Sequence, residues 1–133
     1  MNLESLNQMG EGNMLAFLDI KFTEVGNDYL VATMPVTAKV KQPMGLLHGG
    51  ANVALAESIA SCAAYCVAGK GSMVVGVEIN ANHLKAVRNG EVSAKATPVR
   101  LGSTLQVWQI NITQGDQLVC SSRLTAMVKP IKA

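Results

Sequence analysis

At 133 residues the chain is long enough to bury one hydrophobic core and too short to divide into two. Hydrophobic residues make up 49%, charged ones 15% and aromatics 4%, so the core must be built from Ala, Val, Leu, Ile and Met, with a surplus of apolar surface that favours self-association. A formal charge of +2 is too small to suggest a nucleic-acid binder, yet it is uneven: residues 1–66 carry three basic and six acidic side chains, the remainder eight and three. That basic second half suits an anionic ligand as well as it suits a solvated face.

In chain order, Glu4, Glu11 and Asp19 punctuate the start, so no basic-then-apolar leader is read there and a cytoplasmic location is expected. Within residues 3–18, Met14, Leu15, Phe17 and Leu18 fall on one stripe of a short helix expected to pack over a neighbouring element. Ile20 to Val25 and Tyr29 to Met34 are β-prone, and Gly26-Asn27-Asp28 between them tolerates the positive φ of a hairpin turn. Gln42-Pro43-Met44-Gly45 has turn chemistry. From about Gly49 to Val67 the composition is helical, with Ala at 51, 54, 56, 60, 63 and 64. This helix is apolar nearly all round, which predicts burial on most sides. Asn52, Glu57, Ser58 and Ser61 interrupt it and its flanks lack anchors, which argues against a membrane span.

From Ser72 onward Met73 to His83, Val92 to Val99, Thr104 to Thr113 and Leu118 to Val128 are rich in β-branched residues. Asn89-Gly90, within Arg88 to Glu91, suits a type I′ turn, and Gln114-Gly115-Asp116 punctuates the last pair, so successive strands are expected to be antiparallel neighbours. Two strands, one long helix and four strands therefore form a single domain over 1–133. Cys62, Cys66 and Cys120 are odd in number and lack histidines at zinc-ligand spacing, so they read as free, buried thiols.

A carboxylate inside a buried helix is costly unless paired, and no Lys or Arg stands three or four residues to either side of Glu57. Such groups concentrate at functional sites; the alternative is a narrow solvent-facing strip shared with Asn52 and Ser61. Ser61, at i+4, shares its face, where the hydroxyl can hydrogen-bond the carboxylate or simply fill space. His48-Gly49-Gly50 falls at the helix start, whose free N–H groups and positive dipole end make an oxyanion hole, or else only a tight turn. Gly49 and Glu57 are eight residues apart, about 12 Å along a helix. One chain cannot bring both to one carbon atom, whereas two antiparallel helices about a two-fold axis can, giving composite sites in a homodimer. No metal is expected, because His48 and His83 stand 35 positions apart.

The run Gln42-Pro-Met-Gly-Leu-Leu-His48-Gly-Gly-Ala-Asn-Val-Ala-Leu-Ala-Glu57-Ser-Ile-Ala-Ser61 resembles the hotdog-fold acyl-CoA thioesterases. The likeness runs over nearly the whole chain and is strongest to the 4-hydroxybenzoyl-CoA (Arthrobacter type), 1,4-dihydroxy-2-naphthoyl-CoA and enterobactin-proofreading branch. Related thioesterases of the phenylacetic acid pathway carry Asp where this chain has Glu57, which favours that branch. The resemblance implies an α+β hotdog fold, a curved antiparallel sheet wrapped around one long central helix. It implies hydrolysis of an acyl-CoA, an aryl-CoA or similar, to free acid and coenzyme A without a cofactor, by a homodimer assembled as a homotetramer.

By the same resemblance Glu57 is the nucleophile or the general base on water, and the Gly49 N–H polarises the thioester carbonyl. Gln42 and His48 position the thioester, and Ser61 places a hydroxyl near the carboxylate or water. Substrate and coenzyme A contacts fall on Gly76, on His83, Leu84, Lys85 and Ala86 with Arg88 nearby, and on Arg100, Leu101, Gly102, Ser103, Thr104 and Leu105. Lys85, Arg88 and Arg100 supply donors for phosphate oxygens; His83 alone reads equally as structural. Two rivals differ in class: a hotdog enoyl-thioester dehydratase or hydratase, against which Gln42 with Glu57 argues, and a non-catalytic acyl-CoA-binding module, which would not require Glu57.

Overall fold

A computed structural model describes residues 1–131; Lys132 and Ala133, the end of the domain expected over 1–133, lie outside the described residues. The chain opens with a helix the sequence pattern did not reveal, α1 (Leu3–Met9), fixed by a reciprocal cap in which Asn2 accepts the Ser5 N–H at 2.8 Å and Ser5 accepts the Asn2 N–H at 3.1 Å. Gly12, at φ 75°, turns the chain into α2 (Met14–Phe17). The expected apolar stripe splits there: Leu18 is buried and Leu15 packs on the core, while Met14 and Phe17 face outward. A four-residue helix is barely one turn, so its side chains fan around the axis and cannot all meet one neighbour.

Strands β1 (Lys21–Val25) and β2 (Leu30–Pro35) form the expected hairpin, closed by the Gly26 N–H on the Tyr29 carbonyl at 2.8 Å. Neither Gly26 nor Asn27 takes a positive φ. Glycine is needed at 26 for another reason: the Tyr29 ring lies where a Cβ would stand. The Gln42–Gly45 turn follows, with the Gly45 N–H on the Gln42 carbonyl at 2.9 Å and Gly45 at φ 79°.

The long helix α3 (Gly49–Ala68) ends at Gly69, whose φ of 82° stops it. Strands β3 (Ser72–His83), β4 (Glu91–Leu101), β5 (Leu105–Gln114) and β6 (Gln117–Pro130) complete one antiparallel sheet in the order β1-β2-β4-β5-β6-β3. The expectation that β3 and β4 are neighbours is therefore wrong: β3 pairs with β6, and β4 lies between β2 and β5. A type I′ turn needs positive φ at both central residues, and of the Asn89-Gly90 pair only Gly90 has it. The connection instead crosses the sheet end, held by the Leu84 N–H on the Val119 carbonyl at 2.8 Å and the Leu47 N–H on the Val87 carbonyl at 2.7 Å. The last pair, β5 and β6, does turn tightly, through Gly115 at φ 58°.

Asn52, Leu55, Ala56, Ile59, Ala60, Ala63 and Ala64 form the buried stripe of α3. They share one core with Ala94, Ala96, Trp108, Ile110 and Leu124 of the sheet. Alanines keep the helix thin, so sheet and helix approach closely. Burial is one-sided, however, contrary to expectation: Ala54, Glu57, Ser58 and Ser61 stay partly exposed. The mean hydropathy of 1.4 over an 18-residue stretch of α3 would suit a membrane span, but the apolar stripe is taken by the sheet. Ile59→Ala is expected to cost about 2–5 kcal/mol, measurable by denaturant unfolding. Strand β3 is a sheet edge, and its Met73, Val75 and Val77 are exposed. The architecture is the hotdog arrangement, a sheet about one long helix.

Candidate active site

The start of α3 is built around a histidine used as a cap. His48 has extended backbone, its Nδ1 accepts the Gly50 N–H at 2.8 Å, and its own N–H donates to the Val40 carbonyl at 2.8 Å. Among the described residues the Gly49 N–H donates to no acceptor, which leaves one free donor at the positive end of a twenty-residue helix. The His83 ring closes over it: a Cβ at position 49 would lie 2.7 Å from His83 Nε2, so glycine is what admits the ring. Gln42 accepts the Met44 N–H at 2.5 Å through Oε1, which holds its amide at the rim. Gln42, Gly49 and His83, with Lys85, line a cleft of about 330 Å³.

Glu57 lies two turns further along α3, half-buried rather than enclosed as the sequence suggested, because it stands beside the edge strand β3 at the margin of the sheet and off the buried stripe of the helix. Its carboxylate oxygen sits over Gly76, where a Cβ would overlap Oε2. The register of β3 shifts between Gly76 and Glu78, so the strand bends where it meets the carboxylate. Among the described residues Ser61 makes no hydrogen bond to Glu57, so of its two readings the direct contact is not formed within one chain; Ser58 turns back to the Ala54 carbonyl at 2.6 Å. Gly76→Ala is expected to push the carboxylate aside and lower turnover by about 10²-fold with little change in melting temperature, as read by steady-state kinetics and thermal unfolding.

Sheet register sorts the candidate residues into two groups. Gly76 aligns with Ala126, then Gln106, then Leu101, so the Arg100 to Leu105 turn belongs to the Glu57 end. His83 aligns with Cys120, then Ile112, then Ala94, at the other end of the same strands. Seven strand positions, roughly 23 Å, separate Gly76 from His83. One chain therefore brings together Gln42, Gly49 and His83 to Ala86, with His48 capping the helix there, and separately Glu57 and Gly76, with the Arg100 turn at that same end of the sheet but three strands across, and it does not bring the two sets together. Arg88 adjoins the first set through the Val87 to Leu47 hydrogen bond.

The three thiols are free; Cys62 and Cys66 are half-buried rather than buried. Burial, with Cys66 one turn away, pushes the Cys62 thiol up to about 11, so it is no nucleophile at neutral pH. Among the described residues no cluster of three His, Cys, Asp or Glu could hold a metal ion. Two features escaped the sequence reading. The seat of Glu57 on Gly76 had only the weak signal of a glycine inside a strand. Asn52, buried in the cleft wall, had a stronger one: it is the polar member of an otherwise apolar helix stripe.

Comparison with known proteins gives a consistent result. The thioesterase superfamily model matches residues 44–121. The chain is 55% identical over 129 residues to 1,4-dihydroxy-2-naphthoyl-CoA hydrolase of Escherichia coli K12, covering 96% of this chain and 95% of that one. It is 44% identical over 129 residues to the proofreading thioesterase EntH of Cronobacter turicensis, covering 96% and 94%. Among solved structures, thioesterase HI1161 of Haemophilus influenzae superposes with a TM-score of 0.96 at 47% identity, covering 100% and 94%.

Proposed function

Because the chain belongs to the thioesterase superfamily and is a thioester hydrolase, we propose that it hydrolyses an aryl-CoA or similar acyl-CoA at sites shared between two subunits. The observation that carries this reading is the division of the candidate residues into two sets at opposite ends of β3. A two-fold partner with its helix antiparallel sets the Gly49 end of one chain against the Glu57 end of the other, and makes two whole sites. The reading also includes pairing of such dimers into a homotetramer and a cytoplasmic location.

In each site the thioester carbonyl oxygen accepts the free Gly49 N–H, whose helix dipole stabilises the charge that grows on that oxygen. His48 caps the helix and so holds that N–H in line; Gln42 and His83 wall the approach. Glu57 of the partner subunit takes a proton from water as the water oxygen bonds to the carbonyl carbon, and returns it to the sulfur as the C–S bond breaks. Alternatively its carboxylate attacks the carbon directly, the C–S bond breaks and coenzyme A leaves as its thiolate, and water then cleaves the mixed anhydride to free acid and carboxylate, its released proton going to the thiolate. Both routes need the same two parts. Lys85 and Arg88 at one end and Arg100 at the other offer cations to the phosphates of coenzyme A.

The test is a panel of aryl- and alkyl-CoA thioesters with thiol release as readout. Release of free coenzyme A with the matching acid supports hydrolysis. Loss of an enoyl chromophore without thiol favours the dehydratase, and saturable binding without turnover favours the binding module.

A further inference from the structure

The cleft holds a polar group that the proposed chemistry leaves unused. Asn52 is 4% exposed, the most deeply buried of the polar residues lining the cleft. Among the described residues its Oδ1 is the buried side-chain oxygen or nitrogen with no hydrogen-bond partner. It occupies the first position of the stripe continued by Leu55, Ala56 and Ile59, where an apolar side chain would pack without penalty. A buried amide without a partner is destabilising, so its natural partner is a group that enters the cleft.

From this we infer that Asn52 is a specificity-determining contact for the acyl group, favouring acyl thioesters that carry an oxygen on the carbon β to the thioester carbonyl. Depth identifies the part of the substrate it meets. Lys85 is exposed at the mouth, Gly49 is half-buried, and Asn52 lies innermost, one helical turn past the Gly49 amide. That turn is a rise of roughly 4.5 Å. The pantetheine arm runs from the mouth to the sulfur and stays shallower, so the atoms just beyond the carbonyl are what reach the amide. A half-turn of the amide exchanges donor and acceptor, so it pairs with a hydroxyl or a keto oxygen alike. Both an ortho-hydroxyaroyl group and a 3-oxoacyl group place such an oxygen there.

The inference rests on the thioesterase reading of the cleft, and the test separates the two. Two matched pairs, 2-hydroxybenzoyl-CoA with benzoyl-CoA and 3-oxobutanoyl-CoA with butanoyl-CoA, are assayed on the wild-type protein, Asn52→Val and Asn52→Ala. Within a pair, the ratio of kcat/KM for the oxygenated to the plain thioester is expected to fall about ten-fold in both variants, while the melting temperature holds or rises. Comparing the ratio between proteins cancels the intrinsic reactivity of each thioester. A fall in the aryl pair assigns the ring substituent, and a fall in the alkyl pair assigns the chain substituent. Ratios unchanged in both pairs, or a uniform loss on all four thioesters, overturn the role of Asn52 and leave hydrolysis standing. No thiol from any of the four with wild-type protein overturns both readings.

Discussion

Glu57→Gln is expected to lower thiol release from an acyl-CoA by roughly 10³-fold while leaving the protein folded. Glutamine keeps the length and shape of the side chain above Gly76 but can neither take a proton from water nor attack a carbonyl. Folding should survive because Glu57 has no ion-pair partner among the described residues, so the change orphans no opposite charge. A thiol-reactive dye reports the chemistry and a thermal melt the fold. A Glu57→Gln protein that turned over at the wild-type rate would end the proposal that this carboxylate does the work.

Mixing two inactive variants is expected to restore activity. Gly49→Val places side-chain atoms where His83 Nε2 stands, 2.7 Å from a Cβ, and spoils the amide end of the cleft. Glu57→Gln spoils the carboxylate end. If each site takes one end from each subunit, a mixed dimer has one site with both ends intact and one with neither. Random reassociation makes half the dimers mixed, so about a quarter of wild-type activity returns. Refolding the pair together and apart, with sedimentation to confirm dimers in every sample, decides it. If activity stays at the level of the separate variants, the two ends serve the same chain.

Much of the fold was legible because the hydrophobic pattern changes period where the architecture does: α3 and all six strands lie where the residues suggested. What failed was non-local. Nothing in residues 84–90 says that β3 leaves its sequence neighbour to pair with β6, because that pairing is decided by which strand the connection can reach across the sheet end. Helix α1 was missed since its cap, Asn2 with Ser5, is polar and only Leu6 is buried. At the candidate site the start of α3 at Gly49 and the place of Glu57 two turns along it were legible from composition and spacing. Their one-sided exposure was not, for a helix that is apolar all round carries no mark of which face the sheet leaves open.

The outer edge of the sheet joins these points to the behaviour of the protein in solution. Strand β3 is twelve residues long, unpaired on one side, with Val75 and Val77 open to solvent. Such an edge is a template on which any extended segment can add by backbone pairing. Under the proposed two-fold assembly, a variant that weakens self-association does more than empty a site. If the second subunit covers β3, such a variant leaves this edge open, so precipitation on dilution or mild warming should precede global melting, and colloidal shelf life becomes a sensitive report on that pairing.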